Sequence, residues 1–361
     1  MSSPTLPDKM IAARLHGPGD VRVESVPLPI QPKEGQALIK VGSVGICGSD
    51  LHAVNLGSFS GPGNGDPTPT TLGHEFGGVI ESVGPSAMGG NFKHLQPGMR
   101  VAVDPANPCW QCPMCEEGNA NLCHHMAFSG FHPHDGALSN WMLVNARSCF
   151  PVPDSIDDTA SAMLEPLGVA LHATSLAKIQ LADSVAIMGA GSIGLCILQT
   201  VQLSGAMPVF VVDRLPWRLE VAKQLGAIPI QASDPVDAIM QETNGRGVDV
   251  AIEAAWSDDS VQQAADMLRM GGRMVVVGIP ENDELAMNHA VVRRKGVTIR
   301  MVRRMKNVYP RAIKLAELGA VDLNSMVTHQ FDLSETPTAF DINRNYRDNI
   351  VKAVIRVDST P

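Results

Sequence analysis

Aromatic residues are scarce: 9 Phe, 4 Trp and 2 Tyr make up 4% of 361 residues. The core is therefore mostly aliphatic, and 33 Gly with 26 Pro provide many turns. Positive charge is also short, with 28 Lys and Arg against 37 Asp and Glu and a net charge of −9. That balance argues against a nucleic-acid partner, which wants a basic footprint, and suits a soluble cytoplasmic protein with a small ligand. The first fifteen residues lack the long apolar stretch of a secretory signal. An even cysteine count is missing too: seven cysteines exclude a fully paired disulfide framework. Ser184–Val212 carries no formal charge and is long enough to span a bilayer. Its glycines, Pro208, Gln199 and Gln202 make a buried strand–helix–strand the better reading, so no membrane partner is expected.

What is present fits a folded protein, 44% hydrophobic and 18% charged, which excludes wholesale disorder. The length implies about two domains. The first 150 residues read as short strands and turns, including a turn-rich surface loop over Gly57–Thr71, and helix signals stay sparse until about Thr159. The period then changes. Strands are expected at Ser184–Met188, Val209–Val212, Val248–Ala255 and Arg273–Gly278, with helices at Ser192–Leu203, Pro216–Leu225, Asp234–Thr243 and Asp259–Met270 between them. This alternation implies an α/β architecture with a doubly wound parallel sheet. A helix at Tyr309–Leu318 and a final strand at Ile350–Val357 follow.

Gly189–Gly194 reads G-x-G-x-x-G between a predicted strand and a predicted helix, the context of a dinucleotide fingerprint. Gly189 permits the tight turn, Gly191 lets the backbone approach a pyrophosphate, and Gly194 lets helix and strand pack closely. Asp213 ends the next strand about twenty residues on, where a carboxylate accepts the ribose hydroxyls of NAD. A 2′-phosphate there would meet a like charge, so NAD is favoured over NADP, although Arg214 and Arg218 stand close in sequence. Arg218 is expected near the adenine end.

Cys109, Cys112, Cys115 and Cys123 read C-x2-C-x2-C-x7-C. Four thiolates at this spacing suit a closed, structural zinc site. An iron–sulfur cluster uses the same ligand type, and disulfides fit a cytoplasmic setting poorly. A second set consists of Cys47 in GICGSDLH, His74 and Glu75 in LGHEFGG, and Glu165 in MLEPLGV. A cysteine, a histidine and carboxylates can hold a zinc that keeps an open position. By spacing alone, a buried cysteine, a hydrogen-bonded histidine and surface carboxylates explain them more economically.

The order GICGSDLH, GHE, four-cysteine lobe, EPLGVALHA, GAGSIG resembles the zinc-dependent medium-chain alcohol dehydrogenases over nearly the whole chain. The resemblance implies a GroES-like, β-rich catalytic domain over 1–160, completed by 305–361, around a Rossmann domain over 161–304, with the active site in the cleft. RMKNVYPRAIKLAELGAVDL and Glu165 look closest to the polyol (sorbitol-type) branch. In that branch Cys47, His74 and Glu75 would hold a catalytic zinc, and Glu165 its water or a ligand position. Ser49 and His52 match the proton-relay positions. Ile193 matches a cofactor contact, and Val277, Gly278 and Ile279 would approach the nicotinamide. The resemblance also implies two zinc ions per chain and a homo-oligomer, dimer or tetramer.

The chain departs from that branch in two places. Ala53 stands where an aromatic commonly follows the relay histidine, and the Phe-Arg-Tyr triplet of the branch is here Arg303-Arg304-Met305. Arg304 retains the hydroxyl-binding arginine, but the pocket is differently shaped, and the Gly57–Thr71 loop is expected to line one mobile wall. The leading expectation is a zinc- and NAD-dependent dehydrogenase of a secondary alcohol, a polyol or sugar alcohol. The alternatives are an L-threonine-type amino-alcohol dehydrogenase and, of a different class, a zinc-free quinone reductase or crystallin-like structural relative.

Overall fold

The computed structural model describes residues 6–29, 31–57, 69–255, 257, 259–280 and 284–357. Most of the Gly57–Thr71 loop therefore lies outside the described residues. The chain divides into two compact units. One comprises Met1–Glu165, Tyr309–Glu317 and Val327–Pro361, and the other Pro166–Val308 and Leu318–Met326. No described helix is long and apolar enough to cross a membrane.

The first unit begins with strands β1 (Lys9–Gly17), β2 (Asp20–Pro27) and β3 (Gln36–Gly45), then helix α1 (Gly48–Leu56). β4 (Thr70–Thr71), β5 (Glu75–Val83), β6 (Arg100–Val103) and β7 (Ala106–Asn107) follow. The short α2 (Pro113–Glu116), β8 (Ala127–Phe128), β9 (Trp141–Asn145) and β10 (Cys149–Pro151) complete this stretch. Helix α3 (Asp158–Ala177) contains the division, which falls after Glu165.

The second unit alternates as its sequence period predicts. β11 (Val185–Met188), α4 (Ser192–Leu203), β12 (Val209–Val212), α5 (Pro216–Gln224) and β13 (Ile228–Ile230) come first. α6 (Pro235–Glu242), β14 (Val248–Glu253), α7 (Ser260–Met267), β15 (Leu268–Val276), α8 (His289–Lys295) and β16 (Thr298–Met301) follow. The strands form one parallel sheet in the order β13-β12-β11-β14-β15-β16. Every residue of β11, β12 and β14 is buried, as expected of strands covered on both faces. The strand order reverses between β11 and β14, the place where doubly wound folds bind ligands at the carboxyl edge.

The chain then returns to the first unit with α9 (Tyr309–Glu317), β17 (His329–Asp332), α10 (Thr336–Arg344) and β18 (Ala353–Arg356). The main sheet of that unit runs β10-β6-β5-β3-β18-β17, with β9 also paired to β3. β18 lies antiparallel to β3, placing Val354 opposite Gly45. The apolar core beneath includes Val41, Val44, Ile46, Phe76, Ile80 and Ile355.

Several elements differ from the sequence expectation. α7 stops at Met267, short of Met270, and β15 starts at Leu268. Gly271, at φ +70°, and Gly272 cannot sustain the helix there. The last strand is only Ala353–Arg356, because residues 347–349 form a tight turn of helix first. β17 and α10 were not expected, and neither was α1. Helix α1 shows no apolar face; caps define it instead. Its N-cap is Cys47, whose N–H donates to Asp50 Oδ2 at 2.9 Å, and Gly57 ends it in the left-handed region at φ 76°.

Candidate active site

The capped start of α1 sets the first functional group. Cys47 stands at the helix N-terminus, with Ser49 and the buried Asp50 in its first turn and His52 on the next. Across the sheet, Glu75 opens β5 directly opposite Gly45, the last residue of β3. This pairing carries His74 and Glu75 to the same end of the sheet as Cys47. Ligand atoms of Cys47, His74 and Glu75 lie within 4.8 Å of one another.

His74 and Glu75 are nearly dry, 3% and 1% exposed, while Cys47 is half-buried. Phe128 and Phe131 pack on the His74 ring at 5.3 and 5.9 Å between centroids. Asp50 Oδ1 faces His74 Nδ1 at 3.4 Å, and Ser49 Oγ lies 3.3 Å from Nε2. The buried Nδ1 and Oδ1 complete no hydrogen bond in this geometry. A carboxylate on one ring nitrogen is the usual support for a histidine whose other nitrogen ligates a metal. The donor set and this unsatisfied pair both fit a bound zinc ion. Asp50 escaped the sequence reading, although its position three residues after Cys47 signals a helix N-terminus.

Burial alone would hold the His74 imidazole below its ordinary pKa, but the Asp50 carboxylate and the Cys47 sulfur outweigh it and raise the value well above. Glu165 is also buried. Desolvation, then the Glu75 and Asp104 carboxylates, push its carboxyl up to about 8 against the opposing pull of His74. Glu165 thus belongs to the electrostatic neighbourhood of the cluster. Lys352, which the sequence reading missed, neutralises part of that negative charge. Its Nζ donates to one Glu75 oxygen, Oε2, and to the Ile46 carbonyl at 2.9 Å. Lys352 immediately precedes β18, so only the pairing of that strand with β3 could reveal it.

The cysteine lobe forms a separate centre in the same unit. The Sγ atoms of Cys112 and Cys115, Cys112 and Cys123, and Cys123 and Cys109 are 3.6, 3.8 and 3.5 Å apart. A tetrahedron of sulfurs around zinc has edges of about 3.8 Å, given Zn–S bonds of about 2.3 Å. Backbone N–H donors from His124 and Cys115 hold the Cys112 thiol down at about 6, while burial and neighbouring thiols push Cys115 up to about 12. The backbone N–H groups of Cys109 and His125 both donate to Cys123 Sγ at 3.3 Å. All seven cysteines are free.

In the second unit the fingerprint has the expected form. Gly189 takes φ +97°, and a Cβ at Gly194 would lie 1.9 Å from the Gly189 carbonyl oxygen. Gly191 caps α4, and a Cβ there would stand 3.9 Å from Arg218 Nη1. Ile193 lies in the first turn of α4. Asp213 accepts the Ala190 N–H at 2.7 Å and the Leu215 N–H at 2.9 Å, which fixes its carboxylate beside the glycine turn. Val277 and Gly278 follow β15, with Ile279 exposed beyond them. Arg304 also belongs to this unit, held at φ +55°.

Comparison with known proteins agrees with this geometry. Residues 33–154 match the alcohol dehydrogenase GroES-like domain, and 192–317 match the zinc-binding dehydrogenase domain. The sorbitol dehydrogenase of Bacillus subtilis is 35% identical over 355 residues, covering 97% of this chain and 98% of that protein. An Escherichia coli oxidoreductase of unknown specificity superposes with a TM-score of 0.90 at 35% identity, covering 97% of this chain and all of that one. An alcohol dehydrogenase from E. coli CFT073, solved with NADH, superposes at 0.87 with 28% identity and the same coverage.

Proposed function

Because the chain belongs to the zinc-dependent medium-chain alcohol dehydrogenases, in their polyol branch, we propose that it oxidises a secondary hydroxyl of a polyol or sugar alcohol to a ketone. The hydride goes to NAD and one proton goes to solvent. The observation behind this reading is the convergence of Cys47, His74 and Glu75, three residues that leave a fourth position open to substrate. The zinc-free alternatives have no use for this cluster or for the four-cysteine lobe.

When bound, zinc supplies Lewis acidity that makes a hydroxyl easier to deprotonate, and NAD supplies the hydride acceptor. The protein does the rest. Cys47, His74 and Glu75 hold the catalytic ion, and Asp50 orients the His74 ring. Glu165, buried beside them, exchanges protons or holds the water at the open position. Ser49, against His74, receives the hydroxyl proton and passes it towards His52 and solvent. Cys109, Cys112, Cys115 and Cys123 hold the structural ion. Gly189, Gly191, Ile193 and Gly194 carry the pyrophosphate at the N-terminus of α4. Asp213 takes the adenosine ribose, with Arg218 beside the adenine, and Val277, Gly278 and Ile279 take the nicotinamide end.

Arg304 supplies a second polar contact for a substrate with several hydroxyls. A site built to bond hydroxyls rejects analogues that leave its polar groups unpaired. A panel with NAD tests this: vicinal diols and polyols should exceed 2-butanol and cyclohexanol in kcat/KM, and Arg304→Ala should remove most of that preference. With Ala53 and without the two triplet aromatics, sorbitol should be poorer than at least one other polyol. Better turnover of L-threonine or of a simple secondary alcohol than of every polyol would overturn the substrate class. We place the enzyme in the cytoplasm, where its free cysteines would persist, as a dimer or tetramer, which light scattering on the purified protein would check.

A further inference from the structure

Glu253 has no part in the chemistry above, yet it occupies a singular place. It is the last residue of β14, paired in register with Met188 of β11 on one side and Val276 of β15 on the other. The strand order reverses between β11 and β14. Glu253 therefore sits at the carboxyl edge beside the crevice where a dinucleotide crosses the sheet.

Its side chain is 2% exposed and is shared among three segments. Oε1 accepts the Ala255 N–H at 2.8 Å, beyond the end of β14, and the Ser260 hydroxyl at 2.8 Å, at the start of α7. Oε2 accepts the Gly278 N–H at 3.2 Å, in the turn after β15. The main chain reinforces the arrangement. The Glu253 carbonyl accepts the Val277 N–H at 2.8 Å, and the Ala254 N–H donates to Met188 at 2.8 Å. Packing is tight on both sides. A Cβ at Gly278 would lie 2.5 Å from Glu253 Oε2, and one at Gly189 would lie 2.7 Å from the Ala254 carbonyl oxygen.

Asp213 immediately follows β12, on the other side of β11, so the adenosine half belongs over β11 and β12. The other half of the dinucleotide then lies over β14 and β15, against the segments that Glu253 ties together. We infer that Glu253 is a positioning residue for the nicotinamide half of the cofactor. It fixes the Ala255 and Gly278 turns at the height the ring requires while leaving the adenosine half untouched. The inference rests on the dinucleotide reading above.

The test compares two probes on zinc-loaded protein: NADH, and ADP-ribose, which has the adenosine and pyrophosphate but no nicotinamide. Glu253→Gln keeps the size of the side chain but turns an amide N–H toward the Gly278 N–H, which then keeps only the Glu253 main-chain carbonyl, at 3.2 Å, as acceptor. The Kd for NADH should rise about tenfold, the loss of one hydrogen bond to a charged group, while that for ADP-ribose stays within about twofold. Ser260→Ala, which removes one donor to Oε1 and alters none of the cofactor contacts named above, should give the same split in smaller degree and serves if the glutamine variant does not fold. Parallel weakening of both probes, or no change in either, overturns the inference. Wild-type protein that binds neither probe overturns it together with the dinucleotide reading.

Discussion

Lys352 and Glu75 form an ion pair that solvent barely reaches, with side chains 2% and 1% exposed. The ammonium engages Glu75 Oε2, and the same carboxylate belongs to the cluster with Cys47 and His74. Removing one partner of such a pair strands a buried charge, at a cost of about 3–5 kcal/mol. Lys352→Met should therefore lower the stability of the zinc-free protein by about that amount, read by denaturant melts. Added zinc should recover part of it, because a cation would again face Glu75. Full stability of the zinc-free variant would show that Glu75 does not depend on Lys352.

The two metal centres should respond separately. Cys47→Ser should abolish turnover with little change in Tm, because its ligands sit on a sheet and helix held by their own cores. Cys112→Ser should lower Tm or disperse the oligomer, because a closed site contributes folding energy. Metal analysis should find two zinc ions per wild-type chain and one in each variant. Wild-type kcat in Cys47→Ser would remove that residue from the catalytic centre.

Cofactor choice should follow Asp213. Like charges in contact cost on the order of several kcal/mol, so NADP should be the poorer substrate. Because Asp213 also holds the Ala190 and Leu215 N–H groups, Asp213→Ala should weaken NAD as well as admit NADP. The NADP to NAD ratio of kcat/KM should rise about tenfold or more. Equal kcat/KM for the two cofactors in the wild type would identify Arg214 or Arg218 as phosphate partners.

Asp249 should make the second unit sensitive to acid. Burial alone would raise its pKa, but hydrogen bonds from Arg246, Arg269 and Ser184 hold its carboxyl far below the ordinary 3.8. A depressed folded value means that the stabilisation is full above the unfolded pKa and is lost as pH falls towards the folded one. Asp249→Asn should cost about 2–3 kcal/mol at neutral pH. The gap in Tm to wild type should hold from pH 8 to about 5 and close below about 4. A gap that widens in acid would contradict the sign.

Motifs compressed into a few residues are legible in the amino-acid sequence by itself: the Gly189–Gly194 turn, the four cysteines, and the strand–helix alternation that places Asp213. Their chemistry depends on local spacing, which a sequence displays directly. Three features are not legible there, for physical reasons. Helix α1 is defined by its caps, with no apolar stripe to reveal it. Asp50 acts through a ring 24 positions further along the chain, and Lys352 acts across a strand pairing. The end of α7 differs from expectation because its polar–apolar period runs on past Met267, and only the glycine pair at 271–272 signals the change to β15.

The placement of β18 against β3 also imposes an order on biosynthesis. Residues 166–308, most of the second unit, emerge from the ribosome as one continuous stretch and can close their parallel sheet early. The first unit cannot. Its central sheet waits for a strand made long after β3, and Glu75 waits for a lysine 277 positions later. Until that lysine arrives, the Glu75 carboxylate has no counter-ion from the C-terminal strand. A divalent cation would therefore meet more negative charge at Glu75 on the unfinished chain than on the finished one.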